Sequence, residues 1–251
     1  MLDLLKKASM EKSSCSPTLM VSTCRLSTHE GSLVENESFF RSIVGALQYV
    51  VITRPDFAFS VNKVCQIMHR PLDTHFKVGK RILRYLQSTL DHGLHFCRAS
   101  KFVLEGYSDS SWGSNVDDQR SMSGNCIFLR GNLVSWNSRK QQVVSCSIAE
   151  AEYRSLANVT AEIVWLQSLL TELCVPIQKK SLVWCDSLAA VTVAENPVMH
   201  SKFKHVELDV FFVREKVAAG VLQVGHVSSL DQIADVLTKW LSAMLFNKFR
   251  R

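Results

Sequence analysis

No stretch of 18 consecutive apolar residues occurs in the chain, which argues against a helical membrane span. The first thirty residues hold no apolar core of the signal-peptide kind, so secretion is not indicated. No cysteines form a CxxC pair: the eight stand scattered at 15, 24, 65, 97, 126, 146, 174 and 185. Such spacing in a chain of 251 residues favours reduced, mostly buried thiols over disulfides or a zinc site, and points to an intracellular setting, cytoplasmic or nuclear. Internal repeats and low-complexity tracts are also missing. What remains, 47% hydrophobic and 21% charged, is the composition of an ordinary globular protein with one large domain or two small ones.

Charge of one sign is uneven. Residues 1–100 carry 13 basic and 8 acidic residues, whereas residues 101–251 carry 16 and 15. Nucleic acid is one partner such a basic excess suits, a merely solvated surface the other reading. The periodicity also changes near residue 101. Before it, FFRSIVGALQYVVI, DFAFSVNKVCQIMH and DTHFKVGKRILRYLQSTL read as three helices after a loose lead-in. The third carries Lys77, Lys80, Arg81 and Arg84 on one face, either a solvated stripe or a phosphate contact.

After residue 101, KFVLEGYSD reads as a strand, and GNCIFL with LVSWNS as a hairpin around Arg130-Gly131-Asn132. QQVVSCS reads as a further extended piece, followed by a long helix over 148–174. SLVWCD and VLQVGHV read as strands alternating with helices, and DQIADVLTKWL as a closing helix. Antiparallel strands followed by alternating strands and helices predict a mixed α/β sheet.

Four acids stand in otherwise apolar surroundings. Asp109 and Asp186 follow strand residues, where sites gather in open α/β sheets. Glu152 tops a stripe that runs through Leu156, Val159, Ile163, Leu166, Leu170 and Leu173, whereas Glu150 completes a capping box with Ser147. Asp235 lies in the last predicted helix. Taken singly, each has a blander role: a turn residue, a helix cap, a solvated stripe end or a surface ion pair. Taken together, buried carboxylates are costly unless paired, hydrogen-bonded or bound to a cation, and a shared divalent metal is the simplest common duty.

At these residues the chain resembles the C-terminal part of the Pol polyprotein of Ty1/copia-type retrotransposons. The likeness runs through RSIVGALQYVVITRPDFAFSVNKVCQIMHRP, GYSDSSWGS, DDQRSMSGNCIFLRGNLVSWNSRKQ, SIAEAEYRSLA, CDSLAAVTVAENPVMH, KHVELDVFFVREKV and QIADVLTK. The resemblance implies two domains: residues 1–100, a remnant of the thumb and connection region of the reverse transcriptase, and residues 101–251, a ribonuclease H-like domain with a mixed five-stranded sheet and flanking helices. It implies Asp109, Glu152, Asp186 and Asp235 as ligands of two magnesium ions, for which manganese substitutes, with Asp109 bridging both. The implied reaction is hydrolysis of the RNA strand of an RNA–DNA hybrid during reverse transcription; a remnant that binds nucleic acid without cutting it is the alternative. The YVDD stretch of the polymerase is absent, so DNA synthesis is not expected of this piece, and the upstream reverse transcriptase domain is an expected partner.

His226, nine residues before Asp235, is a candidate proton carrier. Lys202 and Lys204, flanked by His200 and His205, are candidate phosphate contacts, as is Arg139; Ser108, Ser110 and Asn125 are further possible donors to the hybrid. Departures from the resemblance include Phe203 and Phe211, where a polar residue is more usual, and Trp240 in place of a common proline.

Overall fold

A computed structural model describes residues 1–21, 26–98, 102–177, 179–196 and 204–250. They form two compact units, Met1–Leu94 with Lys239–Arg251, and His95–Thr238.

The first unit is helical: α1 (Leu2–Lys7), α2 (Glu37–Val51), α3 (Ala58–Cys65), α4 (Asp73–Gln87) and α8 (Ala243–Phe249). Asn36 starts α2 by accepting the Phe39 N–H at 2.9 Å, and the helix stops before Arg54-Pro55, where proline cannot continue it. Phe40, Ile43, Leu47, Val64, Ile82 and Leu86 are buried in this unit. Arg54 is buried too, forked onto Asp56 at 3.0 and 2.8 Å and bonded to Thr89. Asp56 in turn accepts from the Tyr85 hydroxyl at 2.8 Å. The C-terminal segment returns to this unit. Trp240, the departure from proline, stacks edge-on against Phe59 at 4.9 Å, and Phe246 does the same against Tyr85 at 5.6 Å.

The second unit is built on a five-stranded sheet of β1 (Leu104–Ser111), β2 (Met122–Leu129), β3 (Asn132–Lys140), β4 (Ser181–Cys185) and β5 (Leu222–His226). The strand order is β3-β2-β1-β4-β5. The first three strands are antiparallel, whereas β4 runs parallel to β1 and β5 parallel to β4. This is the expected mixed, ribonuclease H-like sheet. Arg130 and Gly131 join β2 to β3 with φ of 58° and 77°, the two positive values that a two-residue hairpin loop of matching twist requires. α5 (Ile148–Glu172) packs across β1, β2 and β4, joined by α6 (Leu188–Glu195) and α7 (Glu207–Ala218). Its apolar stripe is buried from Leu156 to Leu170 among strand residues such as Leu104, Ile127 and Val183; Leu173, just past the helix end, is exposed. Gly106 lets α5 come close, because a Cβ there would meet Val159 and Ile163 at 3.0 Å.

Three expectations need correction. QQVVSCS is no strand: Val143 and Val144 are exposed, and Gln141 holds the segment by bonds to Ser123 Oγ and the Ala151 carbonyl. The closing helix is not an α-helix but two 3-10 turns, Ser229–Asp231 and Ile233–Leu237, because Gln232 between them spends its side chain on Ala234 N–H and on the Ser108 carbonyl. The thiols are not mostly buried: among the described cysteines only Cys126 and Cys185 are, while Cys15, Cys97, Cys146 and Cys174 are exposed. Among the described residues, no helix is long and apolar enough to cross a membrane.

Candidate metal centre

Strand alternation sorts the sheet. Gly106 faces α5, so Asp109, three residues on, faces the opposite side. Its partner across the ladder, Gly124, therefore also faces that side, and it meets the Ile233–Leu237 turn there. β4 is paired with β1 through Ser108 and Cys185 and then ends, so the next residue, Asp186, turns to the face of Asp109. Ser187, not Asp186, caps α6, accepting the Ala190 N–H. Asp109 lies inside β1, not at its end, and is fully buried.

The outcome is convergence. Asp109, Asp186 and Asp235 each bring a carboxylate oxygen within 4.8 Å of the others. A second group with the same spacing joins Glu152 and Asp186 to Cys185 Sγ. Asp186, half-buried, belongs to both, whereas Asp109, Glu152 and Asp235 are 0%, 4% and 7% exposed. The expectation that Glu152 tops a buried stripe thus holds against the alternative of a solvated stripe end.

The surroundings fix these groups. Ser110 N–H, beyond the end of β4, donates to Glu152 Oε1 at 3.2 Å. Ser155 Oγ donates to the Asp109 carbonyl at 2.7 Å, and Gln232 Nε2 to the Ser108 carbonyl at 3.0 Å. Thr238 Oγ1 donates to Asp109 Oδ2 itself. Burial pushes the Cys185 thiol well above its ordinary value, and the carboxylates of Glu152, Asp186 and Asp109 push it further. The other side-chain donors gathered here, from Asp109, Glu152, Asp186 and Asp235, are all oxygens. That set suits a hard divalent cation such as magnesium.

The sequence gives Gln232 only the look of a capping-box partner of Ser229 and gives Thr238 no role, whereas the structure sets both beside the acids. The only local signal for Thr238 is a polar side chain three residues after Asp235 in an otherwise apolar run.

The other candidates lie elsewhere. His226 is exposed at the end of β5, in register with Cys185. Arg139 is exposed on the edge strand β3. Ser108, Ser110 and Asn125 are buried, which removes them as direct contacts for a large substrate. Lys202, with His200 and Phe203, lies outside the described residues, and of Lys204 only the backbone, in a 3-10 turn, is described. On α4, Lys77, Lys80 and Arg84 are exposed along one face. Lys77 pairs with Asp73 at 3.2 Å, Lys80 lies over the Phe76 ring, and Arg81 is turned inward onto Thr18 Oγ1 at 2.8 Å.

No family model matches the chain. It is 42% identical over 250 residues to the retrovirus-related Pol polyprotein from transposon RE2 of Arabidopsis thaliana, covering 100% of this chain and 17% of that protein. To the retrovirus-related Pol polyprotein from transposon TNT 1-94 of Nicotiana tabacum it is 35% identical over 201 residues, 80% of this chain and 15% of that one. The chain thus spans about a sixth of the length of these curated relatives. Among solved structures, LC11-RNase H1 isolated from compost aligns over 58% of this chain and 96% of its own, with a TM-score of 0.43 and 17% identity.

Proposed function

The chain belongs to the Pol polyproteins of Ty1/copia-type retrotransposons, and from that premise we propose that its sheet-bearing unit is a magnesium-dependent ribonuclease H that cuts the RNA strand of an RNA–DNA hybrid. The observation that carries this reading is the meeting of Asp109, Asp186 and Asp235, delivered by three separate elements, with Glu152 joined through Asp186. Buried carboxylates so close repel one another, and a pair of hard cations is the partner that offsets this.

Asp109 and Asp186 would hold the centre of the site, with Glu152 on one side and Asp235 on the other. Once bound, a magnesium pair supplies charge stabilisation on the phosphate and acidifies a water molecule. The protein's own part is positioning. Thr238 orients the Asp109 carboxylate, while Ser155 and Gln232 hold the strand beneath it. His226, exposed beside the end of β4, exchanges protons with bulk water in this reading. Arg139, Lys77, Lys80 and Arg84 offer cations for the phosphates of the hybrid. The helical unit is, on the same premise, the thumb and connection end of a reverse transcriptase whose polymerase domain is its partner in the whole polyprotein.

A labelled RNA–DNA hybrid incubated with the full chain, with and without magnesium, tests the proposal. Asp109→Asn keeps the fold and hybrid binding but loses cleavage by more than roughly 100-fold, beyond the 10–100-fold that outer-shell changes cost. Folded wild-type protein that leaves the RNA strand intact with either magnesium or manganese overturns it.

A further inference from the structure

A second group of ligating side chains lies outside the carboxylate centre. Cys146 Sγ, a carboxylate oxygen of Glu150 and a ring nitrogen of His205 all lie within 4.8 Å of one another. They come from three places: the loop before α5, its first turn, and the 3-10 turn Lys204–Val206 that leads into α7. Local bonds hold the arrangement. Glu150, 4% exposed, accepts the Cys146 N–H through Oε2 at 2.8 Å, and Arg154 Nη2 donates to the His205 carbonyl at 2.9 Å. Cys146 and His205 are themselves exposed, so the mouth of the group is open to solvent.

The donor chemistry differs in kind from the four carboxylates of that centre. A thiolate, an imidazole and a carboxylate together form the set that selects a borderline-soft ion over magnesium. Ligand atoms around tetrahedral zinc stand roughly 3.5 Å apart, given bonds of about 2.0–2.3 Å, so small side-chain rotations close the group. Three protein ligands leave the fourth position for water. The cysteine spacing in the sequence gave no hint of this, because the third ligand lies 59 positions after the first.

We propose that Cys146, Glu150 and His205 form a second metal site that takes a zinc-class divalent cation and ties the start of α5 to the start of α7. The inference stands on its own geometry and does not need the carboxylate centre to be catalytic.

Cobalt is the probe, because a cobalt–thiolate bond absorbs in the near ultraviolet. The starting chain has Cys15, Cys24, Cys65, Cys97 and Cys174 replaced by serine, which leaves Cys146 as the accessible thiol. It should show the band with cobalt, lose it when zinc is added, and keep it under a large excess of magnesium. Cys146→Ser should abolish the band, and His205→Ala should weaken cobalt binding by at least roughly 10–100-fold. Asp109→Asn should leave the band in place, which separates this site from the carboxylate centre. Zinc should also raise the melting temperature of the starting chain and not that of Cys146→Ser. No band from the starting chain with an intact melting transition overturns the site. A band that His205→Ala leaves unchanged also overturns it, since it would show a solitary thiol taking up metal.

Discussion

Gly124 tests the geometry of the centre most directly. It faces the turn that carries Asp235, and a Cβ placed on it would stand 2.6 Å from Thr238 Cγ2, 2.7 Å from Leu237 Cβ and 3.2 Å from the Leu237 carbonyl carbon. Ordinary carbon contacts lie at about 3.5–4.0 Å, so Gly124→Ala forces the turn back by about 1 Å. Rotating Thr238 alone does not relieve the clash, because the Leu237 backbone is among the atoms struck and because that rotation breaks the bond to Asp109. Overpacking of this kind costs about 1–3 kcal/mol, little enough against a typical stability of about 5–15 kcal/mol for the chain to fold. The consequence for chemistry is larger, since a misplacement of about 1 Å in a catalytic group is worth on the order of 10²-fold in rate. Hybrid cleavage at saturating magnesium, beside a circular-dichroism melt, separates the two effects: a modest fall in Tm with a collapse in rate is the expected pair. Gly131→Ala is the control. Its φ of 77° makes alanine strained, but a Cβ there meets nothing within 4 Å, so cleavage should be unchanged. Wild-type rate and wild-type melting in Gly124→Ala would refute the reasoning.

Thr238→Val keeps the shape of the side chain and removes its hydroxyl donor to Asp109; kcat/KM should fall about tenfold, stability should fall by about 1–3 kcal/mol because a buried acceptor loses that bond, and Thr238→Ser should restore both. Asp56→Ala strands the buried Arg54 guanidinium and should cost about 3–5 kcal/mol in urea unfolding of the helical unit; a loss under 1 kcal/mol would show that the pair is not buried as described. Under native conditions a thiol-alkylating reagent should label Cys15, Cys97, Cys146 and Cys174 and spare Cys126 and Cys185, a pattern read by mass spectrometry. Burial holds the Cys126 thiol up at about 12, against 9.0 for an ordinary thiol, so its contribution to stability is intact at neutral pH. That contribution declines as pH climbs through 9 toward 12, where the unfolded thiol ionises and the folded one does not, and Cys126→Ala should flatten this decline.

What was legible in the sequence was mostly local. The stripe from Leu156 to Leu170 steps by three and four, and extending it backwards by four places Glu152 on the buried side, where it lies. Asp186 was legible as the residue after an apolar strand, and Arg130-Gly131 as a turn between two others. The failures were long-range. The conformation around Asp235 is set by Gln232 reaching Ser108 and Thr238 reaching Asp109, contacts spanning 124 and 129 positions that no window of local periodicity contains. Val143 and Val144 mimic a strand because a pair of valines suits one, yet among the described residues neither pairs with a strand. The return of Trp240 and Phe246 to the helical unit rests on aromatic partners at 59 and 85, again out of local reach.

The turn that bears Asp235 lies far along the chain from the strand that bears Asp109. Neither segment can gather the acidic group alone: β1 brings one carboxylate, and only the docking of the distant turn against β1 and β2 sets a second beside it. Assembly of the group is therefore tied to closure of the sheet-bearing unit as a whole, and loosening that one turn disperses it.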